Sequence, residues 1–256
     1  MTKDKIGIAL GGGGARGFAH LGVLKALEEK GVTPDVISGV SAGSIVGAFI
    51  AAGMKVDKIM KLMKENKFTD YAKINLPING LLSLDNLRKN LNQHLLADGF
   101  SDLELDFYVA VSNLYTGEVE YLNQGDLISI IQASSSIPVL FSPVEIAGDL
   151  YVDGGLLDNL AIQPLKDSCD KIIAINIMPI EKTDKVDNLV EVAIRTFQLS
   201  VSGKNRDKKQ EVDLYIEPDG LEDYHILDTK NSDELFELGY NYANELLKEE
   251  KLNWNT

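Results

Sequence analysis

Val36 to Met54 carries no charged side chain, and that one run restricts what the rest of the chain can fold into. It is nearly long enough to cross a bilayer, but four glycines and three serines interrupt it. The better account is a strand, a sharp turn and a helix, all buried in the middle of an α/β sheet. The bend falls at Gly39-Val40-Ser41-Ala42-Gly43. In a G-x-S-x-G turn the serine backbone is strained, and side chains at the flanking positions would collide with strand and helix, which accounts for Gly39 and Gly43. The strain lifts Ser41 Oγ above the sheet at a helix N-terminus, where N–H groups favour developing negative charge. The turn reads either as a nucleophile elbow or as a Gly/Ser-rich turn that lets strand and helix pack closely.

The preceding segment repeats this logic. Lys5 to Leu10 reads as a strand, followed by Gly11-Gly12-Gly13-Gly14-Ala15-Arg16-Gly17 and an amphipathic helix over Phe18 to Lys30. Strand, helix and the serine stretch make a βαβ unit, so both loops lie at the C-terminal ends of neighbouring parallel strands, where open α/β sheets place their sites. Gly12 to Gly17 also satisfies G-x-G-x-x-G. A dinucleotide site, however, needs an acidic residue at the end of the second strand, and Asp35 precedes that strand. Beside an exposed serine, bare backbone N–H groups make better sense as an oxyanion hole. Gly12, Gly13, Gly14, Arg16 and Gly17 are its expected members. Gly13 and Gly14 are the first donors, and Arg16 either fixes the loop or adds positive potential.

With 25 basic against 39 acidic residues and a formal charge of −14, the chain would repel nucleic acid and strongly anionic membranes. One cysteine, Cys169, excludes an internal disulfide and a Cys-based zinc site, and His20, His94 and His225 lack ligand spacing. No metal and no cofactor are expected. The N-terminal residues carry no signal-peptide pattern, which predicts a cytoplasmic protein.

Further along, Met54 to Phe68 sets Val56, Ile59, Met60 and Met63 against Lys55, Lys58, Lys61, Lys64 and Lys67. This is a core-packed helix with a solvated lysine face or, in the sharper reading, a surface that touches lipid transiently. Helices are also expected over 84–96, 126–134, 187–202 and 232–250. Strands are expected over 107–112, 119–122, 171–177 and 213–216, with a strand-like stretch over 137–152 that turns at Gly148-Asp149. Neither repeat nor linker is visible, so 1–256 reads as a single domain. Its class is α/β: three layers, with a mostly parallel central sheet and helices on both faces.

Serine needs a base, and two are available. His225 satisfies the order of a Ser-His-Asp esterase but lies in an acidic, turn-like segment. Asp153, in Tyr151-Val152-Asp153-Gly154-Gly155, is followed by glycines that permit a tight turn. Ser134, Ser135 and Ser136 are rival hydroxyls without an elbow, better read as caps or turns.

The glycine loop, the elbow and Asp153-Gly154-Gly155, with Ala133-Ser134-Ser135-Ser136-Ile137-Pro138 and Phe141-Ser142-Pro143-Val144 between them, together resemble the patatin-like phospholipase family, most closely its small single-domain bacterial members. The likeness covers roughly 5–164, with 165–256 completing the sheet and packing helices. At Asp158-Asn159-Leu160-Ala161 the chain departs from the proline common in the family at the last position. The resemblance implies a lipid acyl hydrolase working through a Ser-Asp dyad, mapped onto Ser41 and Asp153, acting on lipid or fatty-acyl esters. A non-catalytic adaptor on the same fold is the remaining alternative.

Overall fold

The computed structural model describes residues 3–65, 83–179, 182, 186–249 and 254. Its centre is an eight-stranded mixed sheet: β1 (Ile6–Leu10), β2 (Val36–Gly39), β3 (Asp106–Asn113), β4 (Val119–Leu122), β5 (Val144–Ile146), β6 (Asp149–Asp153), β7 (Lys171–Ile175) and β8 (Leu214–Ile216). The order is β5-β6-β3-β2-β1-β7-β8, with β4 pairing only β3. The β3-β2-β1-β7-β8 section is parallel, and β4, β5 and β6 join it antiparallel. The helices are α1 (Gly17–Glu29), α2 (Ala42–Ala51), α3 (Val56–Glu65), α4 (Asp85–His94), α5 (Leu127–Ser134), α6 (Gln163–Lys166), α7 (Leu189–Asp207) and α8 (Ser232–Glu249).

The central strands are apolar on both faces because both are covered. On β1, Ile6, Ile8 and Leu10 join the main core with α1 and α2, whereas Ala9 belongs to a second cluster with Leu160, Ile162 and Leu165 around α6. The α/β class with helices on both faces is therefore what forms. Antiparallel pairing is confined to the β3 end, where short connections allow it. Helix α8 crosses α1 at backbone contact: a Cβ on Gly22 would sit 2.0 Å from Phe236 O, and one on Gly239 2.2 Å from Ala19 O.

One local expectation needs correction. The strand-like stretch over 137–152 is strand only at β5 and β6. Its first residues are turns, since Ser135 and Ser136 donate their hydroxyls back to Ile131 O and Gln132 O at the end of α5, and Pro138 cannot continue a ladder. In α3, Val56, Ile59 and Met63 are buried in the core. Lys61 and Lys64 face outward and pair with Glu65 and Asp233. Lys67 and Phe68, at the end of the expected helix, lie outside the described residues. Among the described residues no helix is long and apolar enough to cross a membrane.

Candidate active site

Register brings three loops to one end of the sheet. Leu10 of β1 pairs with Gly39 of β2, so the glycine loop and the serine turn leave the sheet at the same level. On the far side of β3, Val111 pairs with Asp153 at the end of β6.

Ser41 is held at φ 51°, ψ −120° between β2 and α2, a region that non-glycine residues enter only under strain. The flanking glycines permit it: a Cβ on Gly43 would lie 2.1 Å from Leu10 O, and one on Gly39 2.6 Å from Ser44 Cα. Ser41 N–H donates to Ser134 Oγ at 2.9 Å, and Ser134 Oγ donates in turn to Ala110 O of β3 at 2.7 Å. Ser134 thus ties the bend to the central sheet.

Asp153 is fully buried. Its N–H donates to Ser136 O at 2.9 Å, and its Oδ1 accepts from Gly155 N–H at 2.8 Å. Oδ2 is buried without a hydrogen-bond partner among the described residues. Burial pushes the carboxyl up to about 7, opposed by the nearby Ser41 hydroxyl and by Gly155 N–H.

In the glycine loop, Gly11 N–H and Gly12 N–H are taken by Ile175 O and Asn159 O, and Ala15 N–H by Ile226 O. Between them, Gly13 and Gly14 donate to no acceptor among the described residues. Gly14 sits at φ 58°, with Ile226 O 2.2 Å from where its Cβ would be. A Cβ on Gly12 would lie 3.1 Å from Ser41 Cβ, and one on Gly17 3.1 Å from Ala42 Cβ, so the loop lies directly against the turn. Arg16 is buried. Its Nε donates to Tyr224 O at 2.9 Å, and burial lowers its pKa to about 10 against the pull of Glu222 and Asp223. Of the two roles expected for Arg16, these contacts belong to fixing the loop. Buried His20 reaches Gly11 O through Nε2 at 2.7 Å, and desolvation lowers its pKa to about 4, which keeps it neutral.

The sequence places Asn159 in the Asp158-Asn159-Leu160-Ala161 stretch but gives it no role. Its backbone O accepts from Gly12 N–H, and its Nδ2 donates to Gly12 O at 3.2 Å. Its Oδ1 is buried and unpartnered. The point where a Gly155 Cβ would be is 2.6 Å from Asn159 Oδ1 and 3.0 Å from Asp153 Oδ1, so Asn159 joins the glycine loop to the Asp153 loop. Asp158 anchors it from behind, accepting from Tyr121 OH at 2.6 Å and from Lys208 Nζ. The one readable signal was an amide six residues after the aspartate in the same loop.

His225 is exposed, and its Nδ1 accepts from Leu227 N–H at 3.2 Å. A triad histidine instead uses Nδ1 to donate to a carboxylate. His225 lines, with Arg16, Lys182, Glu191, Arg195 and Glu222, a charged cavity of about 380 Å3 beside the glycine loop. Among the described residues no cluster of His, Cys, Asp and Glu could hold a metal.

The family profile described as patatin-like phospholipase matches residues 8–166. The chain is similar to the lysophospholipase NTE1 of Kluyveromyces lactis, 26% identical over 97% of this chain and 19% of that protein. It is likewise 26% identical to the lysophospholipase nte1 of Neurospora crassa, over 97% of this chain and 18% of that one. It therefore spans about a fifth of the length of these relatives. Among solved structures, VipD of Legionella pneumophila superposes with a TM-score of 0.59 at 18% identity, covering 97% of this chain and 67% of that one, a likeness of fold.

Proposed function

The chain belongs to the patatin-like phospholipase family, and from that premise we propose that it is a lipid acyl hydrolase using a Ser41–Asp153 dyad and an oxyanion hole in the glycine loop. The observation that carries the reading is a fully buried carboxyl, pushed up to about 7 by burial and with Oδ2 unpartnered among the described residues, at the same end of the sheet as a strained serine. A base works best when its pKa lies near the operating pH, and an ordinary aspartate at about 3.9 would be a poor one.

Asp153 accepts the Ser41 proton as Oγ attacks the ester carbonyl. The N–H groups of Gly13 and Gly14, with that of Ala42 at the start of α2, receive the oxyanion. Collapse expels the alcohol, which takes the proton from Asp153 and leaves an acyl-enzyme. A water deprotonated by Asp153 then releases the fatty acid. Gly12 and Gly17 let the loop approach the turn, and Arg16 pins its far end. Because the two relatives are named lysophospholipases, single-chain lysophospholipids are the proposed substrates. We treat 1–256 as one acyl-hydrolase domain, since β7 pairs with β1 and α8 packs on α1. The core takes the apolar side of α3, leaving only its lysine face for transient contact with lipid.

Fluorophosphonate labelling with peptide mapping tests the dyad. Ser41 is labelled in wild type and in His225→Ala but not in Asp153→Asn, and wild type releases fatty acid from a lysophospholipid. An unlabelled Ser41 in folded wild type would favour the adaptor, and loss of labelling in His225→Ala would favour a histidine base.

A further inference from the structure

Helix α7 lies beside the site with a different environment along each flank. Arg195, Glu191 and Gln198 line the charged cavity next to Arg16. Val192, Ala193, Thr196 and Phe197 line a second groove of about 300 Å3, completed by Pro138, Val139 and Leu156, with no charged residue in its lining. This groove adjoins the base. Leu156 ends the short helical turn Gly154–Leu156 that begins after Asp153, and a Cβ on Gly155 would meet the Phe197 ring at 2.9 Å.

Water-facing apolar groups concentrate here. Val139, Leu189 and Val192 are exposed by 59%, 67% and 46%. Val139 has φ 71°, a conformation that strains a β-branched residue. Such strain persists only where the surroundings enforce it and is concentrated at sites that handle ligands. Here it turns an apolar side chain outward at the rim of an apolar groove.

The geometry points to this groove, between α7 and the Pro138–Val139 turn, as the binding site for the acyl chain of the ester. The inference rests on the hydrolase reading above and adds to it the place and size of the chain's contact. An uncharged groove on one flank of α7 and a charged cavity on the other match an ester with one apolar and one polar end. At about 30 Å3 per methylene-sized unit, the groove holds on the order of ten carbons. Each methylene gains up to about fourfold in binding if fully buried, and about twofold if half its surface stays wet.

The test is the dependence of kcat/KM on chain length for p-nitrophenyl acetate, butyrate, hexanoate, octanoate and decanoate. In wild type it rises about twofold per methylene and levels off near decanoate. Val192→Asp, on an exposed helical face, lowers the decanoate-to-acetate ratio by at least tenfold. Val139→Gly lowers it less while keeping or raising thermal stability, because glycine accepts the positive φ. Leu96→Asp, at an apolar residue 83% exposed on another part of the surface, keeps the wild-type slope. Equal slopes in wild type and Val192→Asp would overturn the groove while leaving the hydrolase standing. If no ester is cleaved, not even acetate, the hydrolase reading is what fails. Calorimetry with decanoate then decides the groove: binding to wild type that is lost in Val192→Asp supports it, and equal or absent binding overturns it.

Discussion

The loop after β1 and the loop after β6 both end beside Ser41, yet the first is fixed by atoms it lacks and the second by atoms it has. Gly11 to Gly17 lies against the elbow because no side chain intervenes, and the N–H groups of Gly11, Gly12 and Ala15 are held by backbone oxygens. The Asp153–Asn159 loop is secured by side chains: Asn159 onto Gly12, and Asp158 onto Tyr121 and Lys208. The difference follows from the chemistry asked of each. A developing oxyanion needs N–H groups at close range, whereas a base needs a dry, uncharged wall that raises its pKa. The glycine loop should therefore fail when an atom is added, and the aspartate loop when one is removed.

The largest effect is expected at the base itself. Asp153→Asn should lower kcat by ~10³–10⁴, the upper range for a general base, and in wild type the rate should climb as pH rises through about 7, the carboxyl's raised value. Stability moves the other way. Between about 4 and 7 the unfolded chain has lost this proton while the folded one keeps it, so Asp153 costs stability progressively as pH rises through that window and in full above it. Asp153→Asn should accordingly be more stable than wild type at pH ~8, by up to about 4 kcal/mol at ~1.4 kcal/mol per unit, with the gain gone below pH ~4. Denaturant melts of both proteins at the two pH values check the sign, and an Asn-minus-wild-type stability difference equal at both would mean the carboxyl is not raised.

Adding an atom comes next. Gly14→Ala forces a Cβ into Ile226 O at φ 58° and should cost ~10²–10³ in kcat, as for loss of an oxyanion donor, with KM for a short ester little changed. If it kept wild-type kcat, the oxyanion donors would have to lie elsewhere. Removing an atom from the opposing loop should cost less. Asn159→Ala cuts one of two bonds to Gly12 and should lower kcat by ~10–100-fold without moving the acid limb. Asn159→Asp, which sets a second carboxylate near Asp153, should shift that limb upward by about one unit or more. An unmoved limb in Asn159→Asp would separate the two loops electrostatically. The smallest effect is His225→Ala, expected within about twofold of wild type, as for surface substitutions.

Much of this was legible because local chemistry wrote it. The uncharged run from Val36, the glycines around Ser41 and the apolar strand at Lys171 each state their own burial and direction. Ile137 to Phe141 misled because its apolar residues resemble a strand, while the bonds that make it a turn come from Ser135 and Ser136 to the preceding helix. Asn159, Ser134 and the α7 groove were invisible for a different reason. Each matters only through a partner far along the chain: Gly12 for Asn159, Ser41 for Ser134, Gly155 and Pro138 for Phe197. A single sequence carries no mark of which distant residue an amide or a hydroxyl will meet.

The place of β1 in the sheet bears on how the protein is made. The strand ends at Leu10, but one of its two neighbours, β7, begins only at Lys171, and the helix that covers α1 runs from Ser232 to Glu249. At synthesis rates of about 5–20 residues per second, roughly ten to thirty seconds separate β1 from its partner strand. Through that interval an apolar strand waits with one edge open, a template for other chains, and the glycine loop hangs from it without Ile175 or Ile226 to hold its shape. The two loops beside Ser41 thus take their final shape only after β7 has been made, and the newly made chain depends on whatever shields that edge until then.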